Sequence, residues 1–337
     1  MVPRRRKLVI IGVVLIVSTA AILLVNPLRT MYSFKKIPGY PLYSMTYFGR
    51  AYDHLRFTVP QSEEELESVT LHPFGGYREN QACTVFTATG GDKMIYGRNR
   101  DLYDKNRALL LFTNPPGGYK SVSIVDLNQL GLILEEDQES ISFSQRILLM
   151  AAPLLPTEGM NEFGLTIAKA DVPTGDIRPF DPAKQSLLFR TAMRVVLDHA
   201  KTTGEAIELL SQYNIAFGVY GGHFLIADPT GDSAIVEYFD NQVQVIRSPD
   251  PWQVITNFSV GQLDEGETPT CQRYLVTEQS LEGYQGKVSA EEAMAILKDA
   301  SIPETLWSIV YNMTDLTLDI ALYRDYNADL QISPPDW

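Results

Sequence analysis

One stretch in the first third of the chain places the strongest limit on its fold. Cys83 heads an apolar, β-branched run, a turn follows at Gly90-Gly91-Asp92, and the return run ends in Arg98-Asn99-Arg100-Asp101. Two such runs around a glycine-containing turn predict a β-hairpin that brings a thiol beside guanidinium and carboxylate groups. Because a neighbouring cation favours the thiolate form of a cysteine, the hairpin makes Cys83 a candidate nucleophile.

Each part of this pattern also has an ordinary structural explanation. A cysteine in an apolar strand is often a small buried hydrophobic residue, and a cluster of Arg and Asp is often a solvated surface turn. The second of the two cysteines, Cys271, allows one disulfide with Cys83 if the chain is exported. On these residues alone, a reactive cysteine and a structural one are equally open.

The composition places the 337-residue chain among globular proteins, with 45% hydrophobic and 20% charged residues. The formal net charge is -13, and no basic cluster is visible after the N-terminus, which disfavours a nucleic-acid partner. The four histidines have no metal-ligand spacing to one another or to a cysteine, so we predict neither a metal nor another cofactor. They are His54, His72, His199 and His223.

The N-terminus carries a membrane signal. Four basic residues over positions 4–7 precede an uncharged apolar run from Leu8 to Val25, which is long enough to cross a bilayer as a helix. The pattern predicts an uncleaved signal anchor in the cell membrane within residues 1–30, with a cytoplasmic N-terminus and the body of the chain outside the cytoplasm. Residues 31–82 have mixed, irregular patterns, and we interpret them as a connector or pro-segment.

Residues 83–337 show the patterns of one layered domain. Short β-rich runs separated by Pro and Gly predict strands after Cys83 and again from His223 onward, ending in two strands over 305–311 and 316–323. Helices are predicted over 186–200, 203–212 and 290–300. Strands in runs, with helices grouped between them, indicate an α+β fold of two antiparallel sheets with helices outside.

Five short motifs then follow one another in a distinctive order. They are Cys83-Thr84-Val85-Phe86, Gly97-Arg98-Asn99-Arg100-Asp101, Gly159-Met160-Asn161-Glu162-Phe163-Gly164-Leu165, Ile255-Thr256-Asn257-Phe258 and Cys271-Gln272-Arg273-Tyr274. With them, the chain from Cys83 to about Tyr323 resembles the choloylglycine hydrolase and acyl-coenzyme A:6-aminopenicillanic acid acyltransferase group. These are linear amide carbon–nitrogen hydrolases of the N-terminal-nucleophile superfamily.

The resemblance implies a four-layer αββα sandwich and a role for each motif residue. Cys83 becomes both the nucleophile and the N-terminal residue once the bond to Ala82 is cut. Its free α-amine, which titrates near pH 8, then serves as the general base, so no catalytic histidine is needed. The other roles are as follows: Arg98 holds the thiolate, Asp101 orients the α-amine, Asn257 donates its side chain to the oxyanion, Asn161 completes that site through its backbone N–H, and Arg273 supports the charge.

The function implied is hydrolysis of a linear, non-peptide amide through a cysteine thioester, with a small N-acyl amide as substrate. Acyl transfer to an amine through the same thioester is an alternative. Two others are a Cys83–His223 hydrolase and an unprocessed, membrane-anchored binding protein. Two departures bear on processing: 82 residues precede Cys83, and Ala82 stands where self-cleaving relatives have glycine. After a cut, the domain either stays membrane-bound or is released, and homo-oligomers are compatible with it.

Overall fold

The computed structural model describes residues 25–49, 82–102, 106–135, 138–172, 180–217, 221–239, 242–263 and 269–334. Nearly all of the predicted signal anchor lies outside these ranges, as do residues 50–81 of the predicted pro-segment. Among the described residues, no helix combines the length and the apolar character that a membrane crossing requires.

Two sheets form the centre of the molecule. The larger has nine strands in the order β1-β2-β5-β6-β7-β8-β11-β12-β13, and the smaller has six in the order β14-β3-β4-β15-β16-β17. The strands of the larger sheet are β1 Lys35–Lys36, β2 Leu42–Tyr47, β5 Ala108–Thr113, β6 Ser121–Asp126, β7 Pro156–Asn161, β8 Thr166–Val172, β11 Gly221–Ala227, β12 Ser233–Phe239 and β13 Gln242–Ile246. Those of the smaller sheet are β3 Ala82–Ala88, β4 Ile95–Asp101, β14 Trp252–Ile255, β15 Thr305–Asn312, β16 Thr317–Leu322 and β17 Asp325–Ile332.

The helices cover the outer faces of the sheets. They are α1 Phe143–Leu148, α2 Phe189–His199, α3 Thr203–Leu210, α4 Gln272–Tyr284 and α5 Ala290–Asp299, with 3-10 turns over Leu127–Leu130 and Leu149–Leu154. Residues 25–33 are also helical. Helix α5 begins where the sequence predicts, because Ser289 and Glu292 form a reciprocal capping box. Helices α2 and α3 pack on the larger sheet, and α4 and α5 pack on the smaller one.

One apolar core fills the space between the two sheets. It contains large side chains from both, including Trp307 and Tyr311 of the smaller sheet and Met160 and Leu225 of the larger one. The order of layers is therefore helices, sheet, sheet, helices, which confirms the predicted mixed α+β architecture. The β3–β4 hairpin lies in the smaller sheet, with its inner face toward this core.

The structure differs from the sequence predictions in four respects. A third strand, β17, follows the two strands that were predicted to end the chain. The sheets are not wholly antiparallel, because β2 pairs with β5 in parallel and a separate parallel pair joins β9 Gln185–Leu188 to β10 Tyr213–Ala216. Strand β2 lies in the predicted connector, yet most of its side chains are buried and it belongs to the larger sheet. Helix α4 was not predicted as an element, because its sequence has no clear apolar stripe.

Candidate active site

The hairpin register brings the candidate nucleophile and two arginines together. Cys83 pairs with Arg100 across β3 and β4, and Arg98 lies two residues away on the same face. Arg98 Nη2 and Arg100 Nη1 each lie 3.6 Å from Cys83 Sγ. All three side chains are buried. The sulfur is thus held between two guanidinium groups away from bulk water.

Arg98 is fixed by partners from the larger sheet. Its Nε forms an ion pair with Glu158 Oε2 at 3.0 Å, and its Nη1 donates to the carbonyl of Lys169 at 2.8 Å. The other oxygen of Glu158 accepts from Trp307 Nε1 at 2.7 Å. Arg98 and Glu158 are both fully buried. Each lowers the free-energy cost of burying the other, because their charges are opposite.

Arg100 lies in a field of negative charge. Its burial disfavours the charged form, but Cys83 and the carboxylates of Asp171, Asp126 and Glu158 more than compensate and hold the pKa of Arg100 above its usual value. Arg100 therefore stays a cation beside the sulfur at any pH of interest.

Asn257 and Arg273 hold the backbone of Cys83. The N–H of Cys83 donates to Asn257 Oδ1 at 2.8 Å, and Arg273 Nη2 donates to the same oxygen at 2.9 Å. Arg273 Nη1 donates to the carbonyl of Cys83. Asn257 Nδ2 donates to the carbonyl of Asp171 at 2.8 Å. The peptide nitrogen that a cut after Ala82 would turn into an amine is thus already bound by a site residue.

Asp101 lies beside the start of β3 and close to Arg273. It pairs with Ala82 across the hairpin, and its Oδ1 accepts from Thr305 Oγ1 at 2.6 Å. Its Oδ2 lies 3.8 Å from Arg273 Nη1 and accepts no hydrogen bond within the described part of the chain. Burial raises the pKa of Asp101 to about 6, although Thr305 and Arg273 act in the opposite direction.

The structure does not bring Asn161 to this group. Its side chain donates to the carbonyls of Leu197 and Ala200 near the end of α2, and its backbone N–H is bonded to the carbonyl of Leu165. Glu158, the residue of β7 that reaches Arg98, lies three positions earlier. At about 3.3 Å per residue, Asn161 is roughly 10 Å farther along the strand. It shapes the β7–β8 turn, and we do not retain it among the proposed site residues.

His223 is equally separate from the sulfur. Its Nδ1 bonds Glu237 Oε1 at 2.7 Å and its Nε2 bonds the carbonyl of Thr256 at 2.8 Å, so neither nitrogen is left to take a proton from Cys83. Burial would raise the pKa of Glu237, but hydrogen bonds from His223, Ser259 and Gly261 hold it below the usual value. These bonds fix the loop that carries Asn257. Both cysteines are free, which excludes the disulfide in this structure.

The sequence patterns did not predict several residues of the site. Glu158 lies three residues before Asn161 in a strand of mixed polar and apolar residues, so no local pattern marked it. Asp171 binds Asn257 through its carbonyl and forms an ion pair with Lys169. Burial lowers the pKa of Lys169 to about 8, an effect that Asp171 limits. No local pattern marks Thr305 as a partner of Asp101.

A comparison with known protein families agrees with the resemblance that the five sequence motifs indicate. The family model for acyl-coenzyme A:6-aminopenicillanic acid acyl-transferase matches residues 152–332, more than half of the 337 residues. No curated protein gives a significant match to the sequence.

Solved structures of amide hydrolases are similar in shape at low sequence identity. A point mutant of conjugated bile acid hydrolase from Clostridium perfringens has a TM-score of 0.52 and 15% identity, over 75% of this chain and 92% of its own. Penicillin V acylase from Agrobacterium tumefaciens has a TM-score of 0.46 and 16% identity, over 71% and 82%. The Caenorhabditis elegans ortholog of N-acylethanolamine-hydrolyzing acid amidase has 0.40 and 13%, over 68% and 93%. The likeness to the bile acid hydrolase concerns the fold.

Proposed function

Because the chain belongs to the acyl-coenzyme A:6-aminopenicillanic acid acyl-transferase family, we propose that it hydrolyses the amide bond of a small N-acyl substrate through a thioester on Cys83. The observation that carries the proposal is the position of Cys83 Sγ, 3.6 Å from both Arg98 and Arg100. Two cations beside a buried sulfur stabilise the thiolate, and the thiolate is the reactive form of a cysteine. The order of layers agrees with an αββα N-terminal-nucleophile sandwich.

Cleavage of the Ala82–Cys83 bond is the activating step in this proposal. Attack of the Cys83 thiol on the Ala82 carbonyl would form a thioester while the Ala82–Cys83 carbon–nitrogen bond breaks and frees the α-amine. Water would then hydrolyse the thioester, which releases Ala82 as a carboxylate and restores the thiol. That amine would lie where Asn257 Oδ1 now accepts the Cys83 N–H. Asp101, paired with Ala82 and with Oδ2 lacking a hydrogen bond from the described residues, would orient it.

The catalytic cycle follows from these positions. The sulfur adds to the substrate carbonyl, the carbon–nitrogen bond breaks, and the α-amine passes the thiol proton to the leaving amine. Water then hydrolyses the thioester to a carboxylic acid and restores the thiol, whereas an amine acceptor would give acyl transfer. Asn257 Nδ2 has two hydrogens, of which one bonds Asp171, so the other is available for the oxyanion.

The buried strand β2 would keep the predicted anchor bound to the domain after a cut. Leu42, Tyr43, Met45 and Tyr47 are buried in the larger sheet, and burying each such side chain contributes about 1.5–3 kcal/mol. The piece that precedes Cys83 would therefore remain bound without a covalent link. We propose a single-pass cell-membrane protein whose catalytic domain lies outside the cytoplasm and stays attached to its anchor.

Mass spectrometry of the purified full chain tests the proposal. We expect a fragment that begins at Cys83 in the wild type, and an intact, inactive chain in Cys83→Ala. The second cysteine provides a matched control, since Cys271→Ser should be cut and active. A series of N-acyl amides with graded acyl length would supply the activity assay.

Two outcomes would contradict the proposal. Activity in a preparation that contains only intact chain would refute the free-amine mechanism. Retained function in Cys83→Ala, together with no labelling by a thiol-reactive acyl analogue, would favour the binding-protein alternative.

A further inference from the structure

Two helical segments at one corner of the molecule expose large apolar side chains. Residues 25–33 are helical, and Val25, Leu28 and Tyr32 are 49%, 40% and 65% exposed. On α1, Phe143 and Ile147 are 55% and 51% exposed. Spacings of three and four residues place side chains on one face of a helix. Each segment thus presents an apolar stripe to its surroundings.

The two stripes belong to one surface, which we call the corner face and define as the exposed residues of 25–33 and α1. Arg146 Nη1 donates to the carbonyl of Met31 at 2.6 Å, and its guanidinium lies 5.0 Å from the centre of the Tyr32 ring. Six of the eleven exposed large apolar side chains in the described ranges lie on the corner face. Their concentration here separates them from the isolated apolar residues of an ordinary surface.

The corner face is anchored firmly to the domain. Thr30 and Met31 of the same helical segment are buried. Thr30 Oγ1 accepts from the N–H of Phe48 at 2.9 Å, and Ser33 Oγ donates to the carbonyl of Thr46 at 2.9 Å. The exposed stripe therefore has a fixed direction relative to β2.

The position of the corner face in the chain points to its partner. The uncharged apolar run from Leu8 ends at Val25, the first residue of the stripe. From Val25 to Tyr32, seven residues of helix rise about 10 Å. The headgroup layer extends roughly 5–8 Å beyond the hydrocarbon core, so a span that ends at Val25 places Leu28 inside this layer and Tyr32 at its outer edge, where tyrosine is enriched. We propose that the corner face rests in the headgroup layer of a phospholipid bilayer, so that the domain is held against the membrane.

Apolar contact, not charge, drives this docking. Arg29 is itself exposed on the corner face, and Lys35 and Lys36 follow in the sequence, but Glu135 and Glu139 precede α1 and oppose any attraction to anionic lipid. A zwitterionic bilayer is accordingly a sufficient partner. The proposal uses the proposed membrane span for orientation and is independent of the proposed amidase activity.

Tryptophan quenching by lipid tests the proposal on the full chain reconstituted into phosphatidylcholine vesicles. Phe143→Trp places a reporter on the corner face, and Ile147→Trp is a second reporter in case the first variant folds poorly. Val243→Trp is the control, because Val243 is 42% exposed on β13, at the far end of the sheet. Seven strand spacings of about 4.8 Å separate β13 from β2, roughly 34 Å.

The emission of each variant, after subtraction of the wild type, is compared in vesicles with and without bromine on the lipid chains. We expect brominated lipid to reduce the emission of Phe143→Trp and Ile147→Trp at least about twofold and to leave Val243→Trp unchanged. The proposal would be overturned if, in vesicle-bound protein, each of the three variants emitted equally with and without bromine on the lipid. So would cross-linking of the corner face to a second copy without quenching, or failure of the wild-type chain to float with the vesicles.

Discussion

Replacing Asp101 with asparagine should stabilise the uncut chain and should abolish the activity that the chain gains on cleavage. The Asp101 carboxyl is fully buried, Thr305 donates to Oδ1, and the Arg273 guanidinium lies 3.8 Å from Oδ2. Asparagine keeps the shape of the side chain and the acceptor for Thr305, but it has no charge. The substitution therefore isolates the cost of keeping an ionised carboxylate in this buried place.

The magnitude follows from the pKa. Burial raises the pKa of Asp101 from 3.8 to about 6, and a rise of this size corresponds to about 3 kcal/mol. Below about pH 4 the carboxyl is protonated in the folded and unfolded chains, so the cost is absent. It grows between about pH 4 and 6 and is complete above pH 6. Because the new Nδ2 would lie near Arg273, we expect a gain of about 1–3 kcal/mol at pH 8.

Urea unfolding in detergent micelles, at pH 8 and pH 4, measures this difference. Both chains carry Cys83→Ala, so that neither is cut and only position 101 differs. A variant that is less stable at pH 8, or equally stabilised at both pH values, would refute the reasoning. With Cys83 present, Asp101→Asn should be inactive, since the α-amine loses the group that orients it. Full activity would instead agree with a mechanism that has no free amine.

Three further substitutions separate the roles within and around the site. Glu158→Gln leaves Arg98 without its buried counter-ion, so activity on an N-acyl amide should fall at least tenfold and the free energy of unfolding by about 3 kcal/mol; unchanged kinetics would show that Arg98 does not need this partner. His223→Gln should lower kcat without abolishing it, because the ring supports the Asn257 loop, whereas a Cys–His hydrolase would lose all activity. Asn161→Ala should cost about 1–3 kcal/mol of stability and leave kcat per folded molecule unchanged; a loss of kcat at normal stability would return Asn161 to the oxyanion site.

Local sequence patterns predicted the parts of the protein that depend on neighbouring residues. The β3–β4 hairpin lies where the Gly90–Asp92 turn predicts it, and α5 begins after Ser289 because its capping box is complete within four residues. The hairpin also brought Arg98 and Asp101 close to Cys83, since strand register alone determines which side chains meet across a two-strand ladder. The order of the five motifs was sufficient to indicate the family.

The tertiary structure decided everything that depends on how the two sheets meet. Glu158 contacts Arg98, and Thr305 contacts Asp101, across separations of 60 and 204 residues, and no periodicity encodes such pairs. Asn161 and Glu158 belong to the same strand, yet only Glu158 contacts Arg98, whereas Asn161 bonds the end of α2. The packing of β8 against β3 brings the carbonyls of Lys169 and Asp171 to Arg98 and Asn257, which no local pattern predicts. Local hydrogen bonding follows from adjacent residues, whereas a site assembled from several strands exists only after burial of the shared core has fixed their relative positions.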